Sequence, residues 1–254
     1  MDIVATTASG ILHIEFNRPE KKNAITAAMY QALADALKAG RDDPAVRAIV
    51  ISGKPEIFTA GNDLEDFLKH PPEGGDSSVF QFLHAISHMD KPLIAAVCGA
   101  AVGVGTTLLL HCDLVFAGQN ARFKLPFTRL GLVPEAASSL LLPRLVGYQK
   151  AAELLLLGEE FDAIEAEKMG LVNHVLPAES VLEHALACAA KLGALPPGAI
   201  RATKRLLKQG QVDALDAQMA LEGEEFRSRL KSPEAREAFT AFFERRKPDF
   251  GIQN

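Results

Sequence analysis

Apolar and polar residues alternate from Ile11 to Phe16 (ILHIEF), the period-two pattern of a half-buried strand. Asn17-Arg18-Pro19 breaks it. From Ala24 to Ala39 the apolar positions Ile25, Met29, Leu33 and Leu37 recur at helical spacing, and Gly40 is expected to end that helix. Ala48 to Ser52 (AIVIS) is a short apolar run bounded by Gly53, so a buried strand is predicted. Ile57 to Asp63 leads into a helix from about Leu64. His70 to Ser78 (HPPEGGDSS) is the stretch richest in breakers, expected to be a mobile loop. Phe80 to His88 returns to helical periodicity. Leu93 to Val97 predicts a buried strand, Gly99 to Gly105 a glycine turn, Thr106 to His111 a helix and Leu114 to Ala117 a strand. Pro134 to Val146, Gln149 to Leu157 and Ile164 to Gly170 predict helices, and Leu171 to Val175 a last strand. The pattern assigns no element between Val175 and Leu195. Pro196-Pro197 then opens a helix ending near Gly210, and two amphipathic helices follow, up to Lys247.

Strand–turn–helix units fill the first three quarters and helices the last. The expectation is an α/β core over residues 1–194 and a C-terminal helical region over 195–254. Ala48–Phe67 and Leu93–Cys112 share one plan of strand, glycine turn and helix. Leu93 to Leu110 is uncharged and about as long as a membrane span. Its glycines 99, 103 and 105 favour a buried strand, turn and helix instead, so no membrane association is expected.

Composition narrows the partners. Apolar residues make up 48% and charged residues 23%, as in an ordinary globular protein. The net charge of -5, without a long basic run, argues against nucleic acid. Arg245-Arg246-Lys247 is short and reads as a solvated helix end. Cys98, Cys112 and Cys188 form no CxxC pair and leave one thiol over, which points to a reducing compartment. No signal pattern opens the chain and no address closes it, so a cytoplasmic location is expected.

Two segments carry candidate chemistry. Phe58 to Leu64 (FTAGNDL) and Gly99 to Gly105 (GAAVGVG) each pass from strand to helix through glycines. Such a turn leaves free N–H groups at a helix start, which favour negative charge. Two of them converging would form an oxyanion hole. The same residues would equally serve as an N-cap at Asp63 and as close packing at Gly103 and Gly105. Pro134-Glu135 is either an ordinary helix start or the position of a catalytic acid. His111, Cys112 and Asp113 are adjacent, point different ways, and predict no metal site.

In order along the chain, Asn17-Arg18-Pro19 with Asn23-Ala24, the FxAGxDL turn from Phe58 to Leu64, the strand and glycine turn from Val97 to Asp113, the segment from Phe161 to Val172, and Phe243 to Phe250 resemble the crotonase superfamily of enoyl-CoA hydratases and isomerases. The resemblance covers essentially the whole chain. It implies a spiral of repeated ββα units with C-terminal helices that build homotrimers or hexamers. It implies an acyl-CoA thioester as substrate, with no separate cofactor and no metal. It puts the oxyanion donors at Asn62 and Val104, and surrounds the substrate with Ala60, Gly61, Asp63, Leu64, Gly103, Phe127 and Leu130.

The departures from the family pattern sharpen this. The two glutamates of the family's hydratases fall on Thr107 and Phe127, neither of which is an acid or base. An acid stands instead at Glu135, within Pro134–Ser139 (PEAASS), similar to the peroxisomal type of Δ3,Δ2-enoyl-CoA isomerase. The resemblance therefore implies isomerisation of 3-enoyl-CoA to 2-enoyl-CoA, with Glu135 moving one proton as base and then acid. Another crotonase reaction such as hydration, or acyl-CoA binding without chemistry, is the alternative.

Overall fold

Strands β1 (Ile3–Ala8) and β2 (Ile11–Phe16) form an antiparallel hairpin around Ser9-Gly10, both at positive φ. That two-residue turn matches the twist of the strands it joins. β1 has no apolar alternation because, at the sheet edge, most of it is exposed. Helix α1 (Ala27–Asp42) follows, capped by the Thr26 side chain. The computed structural model describes residues 1–70 and 76–251, so most of the loop predicted over 70–78 lies outside the described residues.

Three successive strand pairs then split between two sheets. The first is β3 (Ala48–Ser52) and β4 (Ile57–Thr59), followed by helices α2 (Leu64–Lys69) and α3 (Ser78–Ser87). The second is β5 (Leu93–Val97) and β6 (Ala100–Val102), followed by the one-turn helix α4 (Val104–Thr107). The third is β7 (Leu114–Gly118) and β8 (Arg122–Lys124). The first member of each pair joins a six-stranded sheet in the order β1-β2-β3-β5-β7, which β10 (His174–Leu176) completes beside β7. The second joins a four-stranded sheet in the order β4-β6-β8, which β9 (Glu160–Asp162) completes beside β8. This is the expected spiral of ββα units, turned once more than the sequence plan suggested. Helices α5 (Ser138–Val146) and α6 (Tyr148–Ala152) lead to β9 (Glu160–Asp162), α7 (Ala163–Lys168) and β10 (His174–Leu176). Helices α8 (Val181–Gly193), α9 (Pro197–Lys208), α10 (Val212–Leu230) and α11 (Pro233–Phe243) close the chain.

The central strands β3 and β5 are buried on both faces, as parallel strands covered on both sides must be. Ile49, Ile51, Leu93, Ala95 and Val97 face the main core with α1 and α3. Ala48, Val50, Ile94 and Ala96 face α8 through Val181, Ala185 and Ala189. That α8 stripe is mostly alanine, too weakly apolar to be read as a helix face from sequence. From the C-terminal region, Phe226, Ala235 and Phe239 join the main core.

Several expectations shift. Helix α1 runs through Gly40, where a Cβ would stand 2.4 Å from Leu12 Cδ2. That glycine serves close packing on β2 and is not a C-cap. The turn after β5 contains a further strand, β6. Helix α5 begins at Ser138 and not at Pro134, because Ala136 and Ala137 are left-handed at φ 60 and 54. The last strand is β10, at His174–Leu176 instead of Leu171–Val175. No helix of the described residues is long and apolar enough to cross a membrane.

The corner between β5 and β6 gives a stability prediction. Gly99 has φ +66, and a Cβ there would lie 2.0 Å from the Glu56 carbonyl oxygen. Gly99→Ala should lower unfolding stability by at least about 2 kcal/mol. Urea denaturation measures this, and an unchanged midpoint would argue against the corner as a constraint.

Candidate active site

The NRP…NA segment is the clip on which the first turn hangs. Asn23 is fully buried, and its Nδ2 donates to Phe58 O at 2.9 Å while its Oδ1 accepts from Arg18 N–H at 2.7 Å. The Thr59 hydroxyl returns a bond to Asn23 O at 2.6 Å. Arg18 donates to Ala24 O and to the Asp63 carboxylate, each at 2.8 Å. Asp63 caps α2 by accepting from Asp66 N–H. Burial pushes the Asp63 carboxyl up, but the Arg18 and Asp66 hydrogen bonds outweigh it and hold it below its ordinary value.

The two glycine turns lie back to back. Strand β4 pairs with β6 in parallel, Thr59 beside Ala101. A Cβ on Gly61 would sit 2.8 Å from Val102 O, and a Cβ on Gly105 2.5 Å from Thr59 Cγ2. Gly103, at φ 56 and ψ -117, turns the chain into α4. Ile25 pairs with the first turn by donating to Gly61 O and accepting from Asp63 N–H. The Asn62 N–H between them therefore points away. Neither Asn62 N–H nor Val104 N–H donates to any group among the described residues.

Asn62 and Val104 both line one cleft of about 730 Å³. It is lined by Ala60, Gly61, Asn62, Asp63, Leu64, Gly103, Val104, Phe127 and Leu130, which the sequence had grouped as a site. Arg18, Lys21, Lys22, Lys124 and Arg129 add cations along the same cleft. Arg245 and Lys247 are not among its lining residues. Glu135 lines an adjoining pocket with Phe67, Val79, Phe80, Leu83, Met219 and Phe226. Asn62, Phe67 and Phe226 border both spaces.

Glu135 stands in the bend before α5, so it lies outside that helix's first turn. Thr107, at the end of α4, donates its hydroxyl to Glu135 Oε1 at 2.6 Å. One helical turn thus carries both the free Val104 N–H and the partner of the acid. Burial is the largest influence on Glu135 and pushes its pKa up to about 7. The Thr107 hydrogen bond lowers it, and the Glu222 carboxylate raises it. Tyr30 donates to Asn62 Oδ1 at 2.5 Å, and its own pKa is raised by burial and then by Glu135. His111 bonds to Ala136 O at 2.8 Å, and burial pulls its pKa down to about 4. A neutral imidazole donating Nε2–H to that carbonyl fits both facts.

Thr107 as the partner of Glu135, Tyr30 as the partner of Asn62, and Glu222 behind the acid's backbone were not singled out. A hydroxyl in a buried helix, a tyrosine on α1 and an acid on α10 carry no local signal; only the fold brings them together.

Parallel strands in two sheets, with paired turns over a cleft beside a half-buried acid, define a crotonase-type α/β protein. The family model for enoyl-CoA hydratase/isomerase matches residues 6–253, and the chain belongs to that family. It is 36% identical over 250 residues to 2,3-dehydroadipyl-CoA hydratase of Escherichia coli (strain K12), covering 98% of each chain. It is 38% identical over 252 residues to enoyl-CoA delta isomerase 2 of Rattus norvegicus, covering 96% of this chain and 64% of that longer protein. The crystal structure of an enoyl-CoA hydratase/isomerase from Pseudoalteromonas atlantica T6c superposes with a TM-score of 0.94 at 43% identity, covering 99% of this chain and 100% of the other. An acyl-CoA thioester is the substrate class consistent with that family.

A pH dependence of stability follows. The Glu135 pKa rises from 4.5 to about 7 in the folded state. Between those values the folded protein binds more protons than the unfolded, so the Glu135 contribution falls as pH rises. His111 works oppositely, binding fewer protons when folded. The difference in unfolding free energy between the wild type and Glu135→Gln isolates the acid. It should fall by up to about 3 kcal/mol from pH 4.5 to 7.5. Denaturant titrations across that range check it; a flat difference would contradict the buried-acid geometry.

Proposed function

We propose that the protein isomerises 3-enoyl-CoA to 2-enoyl-CoA, with Glu135 as the only proton shuttle. The observation that carries this reading is the Thr107 hydroxyl on Glu135 Oε1 at 2.6 Å. At a position where the family resemblance implies a hydratase glutamate, this chain has the hydrogen-bond donor of another acid. At the second such position Phe127 is buried and lines the cleft. The chain therefore offers a base without the paired carboxylates that hold and activate a water.

Glu135 takes a proton from C2 of the thioester. The electron pair spreads into a dienolate whose oxygen accepts the Asn62 and Val104 N–H groups. The acid so formed returns the proton at C4, and the double bond ends in conjugation with the carbonyl. A carboxyl near pH 7 suits a group that must act both as base and as acid. Hydration is the second reading, supported by the hydratase name of the E. coli relative. The cationic residues along the cleft suit the phosphates of coenzyme A. Assembly as a homotrimer or hexamer belongs to the same reading, supported by the exposed Leu206, Leu207, Phe242 and Phe243 on the last helices. Light scattering should return three or six copies; a monomer at micromolar concentration would refute assembly.

Isomerisation creates a conjugated thioester and hydration removes one, so ultraviolet absorbance separates the readings. Purified protein given 3-enoyl-CoA should gain absorbance. Glu135→Gln should lose activity by a factor on the order of 10³ or more. Retained turnover in Glu135→Gln would exclude the mechanism.

A further inference from the structure

Glu222 lies in the middle of α10, far along the chain from Glu135, yet its side chain is buried against the segment that carries that acid. Its Oε2 accepts from Ala137 N–H at 2.6 Å. Its Oε1 accepts from Ser139 N–H at 2.9 Å and from the Ser139 hydroxyl. Gln218, one turn earlier on α10, donates to Ser139 Oγ at 2.8 Å, which leaves the hydroxyl proton for Glu222. Three donors aimed at one carboxyl suit its ionised form and oppose the effect of burial, which pushes its pKa up.

The segment needs such an anchor. Two consecutive alanines, Ala136 and Ala137, hold left-handed conformations that side chains disfavour. Helix α5 has no side-chain cap of its own at Ala137. A carboxylate from another helix takes two of its free N–H groups instead. Glu135 is thus gripped twice, by Thr107 on its carboxyl and through the backbone behind it by Glu222.

We propose that Glu222 is a positioning residue for Glu135, fixing the bend from Ala136 to Ser139 so that the acid meets the substrate. Its negative charge also favours the protonated acid. This rests on Glu135 being the proton-transfer group. The other groups facing Glu135 are Thr107 from α4, Tyr30 from α1 and Arg227, which lines the same pocket from α10. The lining from α2 and α3 is apolar, through Phe67, Val79, Phe80 and Leu83.

The test separates position from charge and needs no substrate for its first arm. In protein labelled with ¹³C at glutamate carboxyls, the Glu135 signal is the one lost in Glu135→Gln. It should titrate near 7 in the wild type and at a lower pH in Glu222→Gln, with burial still holding it above the ordinary carboxylate range. Ser139→Ala removes the hydroxyl's bonds to Glu222 and from Gln218, keeps the Ser139 N–H bond and the Glu222 charge, and should leave the titration in place. In turnover, Glu222→Gln should lower kcat by about ten- to a hundredfold with little change in KM. The acid limb of its pH profile should move to lower pH, while Ser139→Ala shows a smaller loss and an unmoved limb. If Glu222→Gln does not fold, Glu222→Asp carries the test: kcat falls while the Glu135 titration stays high. An unmoved Glu135 titration with wild-type kcat in Glu222→Gln would overturn the proposal, as would wild-type kcat in a folded Glu222→Asp. A shifted titration in a protein without isomerase turnover would keep this proposal and discard the isomerase reading.

Discussion

The close approach of two backbone turns is the constraint on which the site depends. A parallel pairing of two three-residue strands, β4 and β6, brings the turns together. Two glycines, Gly61 and Gly105, let them touch, since a side chain at either would meet backbone or the Thr59 methyl group. Once they touch, the Asn62 and Val104 N–H groups border one cleft. Among the described residues neither finds an acceptor, although backbone donors inside a protein are almost always paired. The Asn23 clip makes the approach stable by holding Phe58 O and Thr59 from behind. The motifs that mark the chain at Asn17–Ala24 and at Phe58–Leu64 are therefore two halves of one support, separated in sequence and joined by hydrogen bonds.

This explains what was legible in the sequence. Long amphipathic segments such as α1, and fully apolar strands such as β3 and β5, announce themselves because burial demands a regular pattern. The glycine turns were visible as turns, since only glycine meets their sterics. The short strands of the second sheet were not. Three residues hold too few side chains to establish a period, so β6, β8 and β9 follow from pairing and not from pattern. Gly40 was misread because glycine ends helices and also permits close packing, and only the position of Leu12 tells these apart. Pro134 suggested a helix start because proline fits there, but two left-handed alanines delay the helix to Ser138. Family resemblance pointed to Asn62, Val104 and Glu135 as expected site residues. It did not reveal their partners, because Tyr30, Thr107 and Glu222 reach them across the fold.

The acid illustrates why those partners matter. Burial alone would favour a neutral carboxyl and leave little base at neutral pH. A strong donor set alone would favour a carboxylate and leave little acid. Among the described residues Glu135 has one side-chain donor, Thr107, set against burial and the charge of Glu222, and the balance falls at about 7. A second donor would lower its pKa, and loss of Thr107 would raise it. A glutamate in place of Thr107 would do something else again: it would add a like charge at hydrogen-bond distance, and the two carboxyls would then titrate as a pair. One hydroxyl in that position keeps the titration in a single group. That is the condition for one residue to give back the proton it has taken.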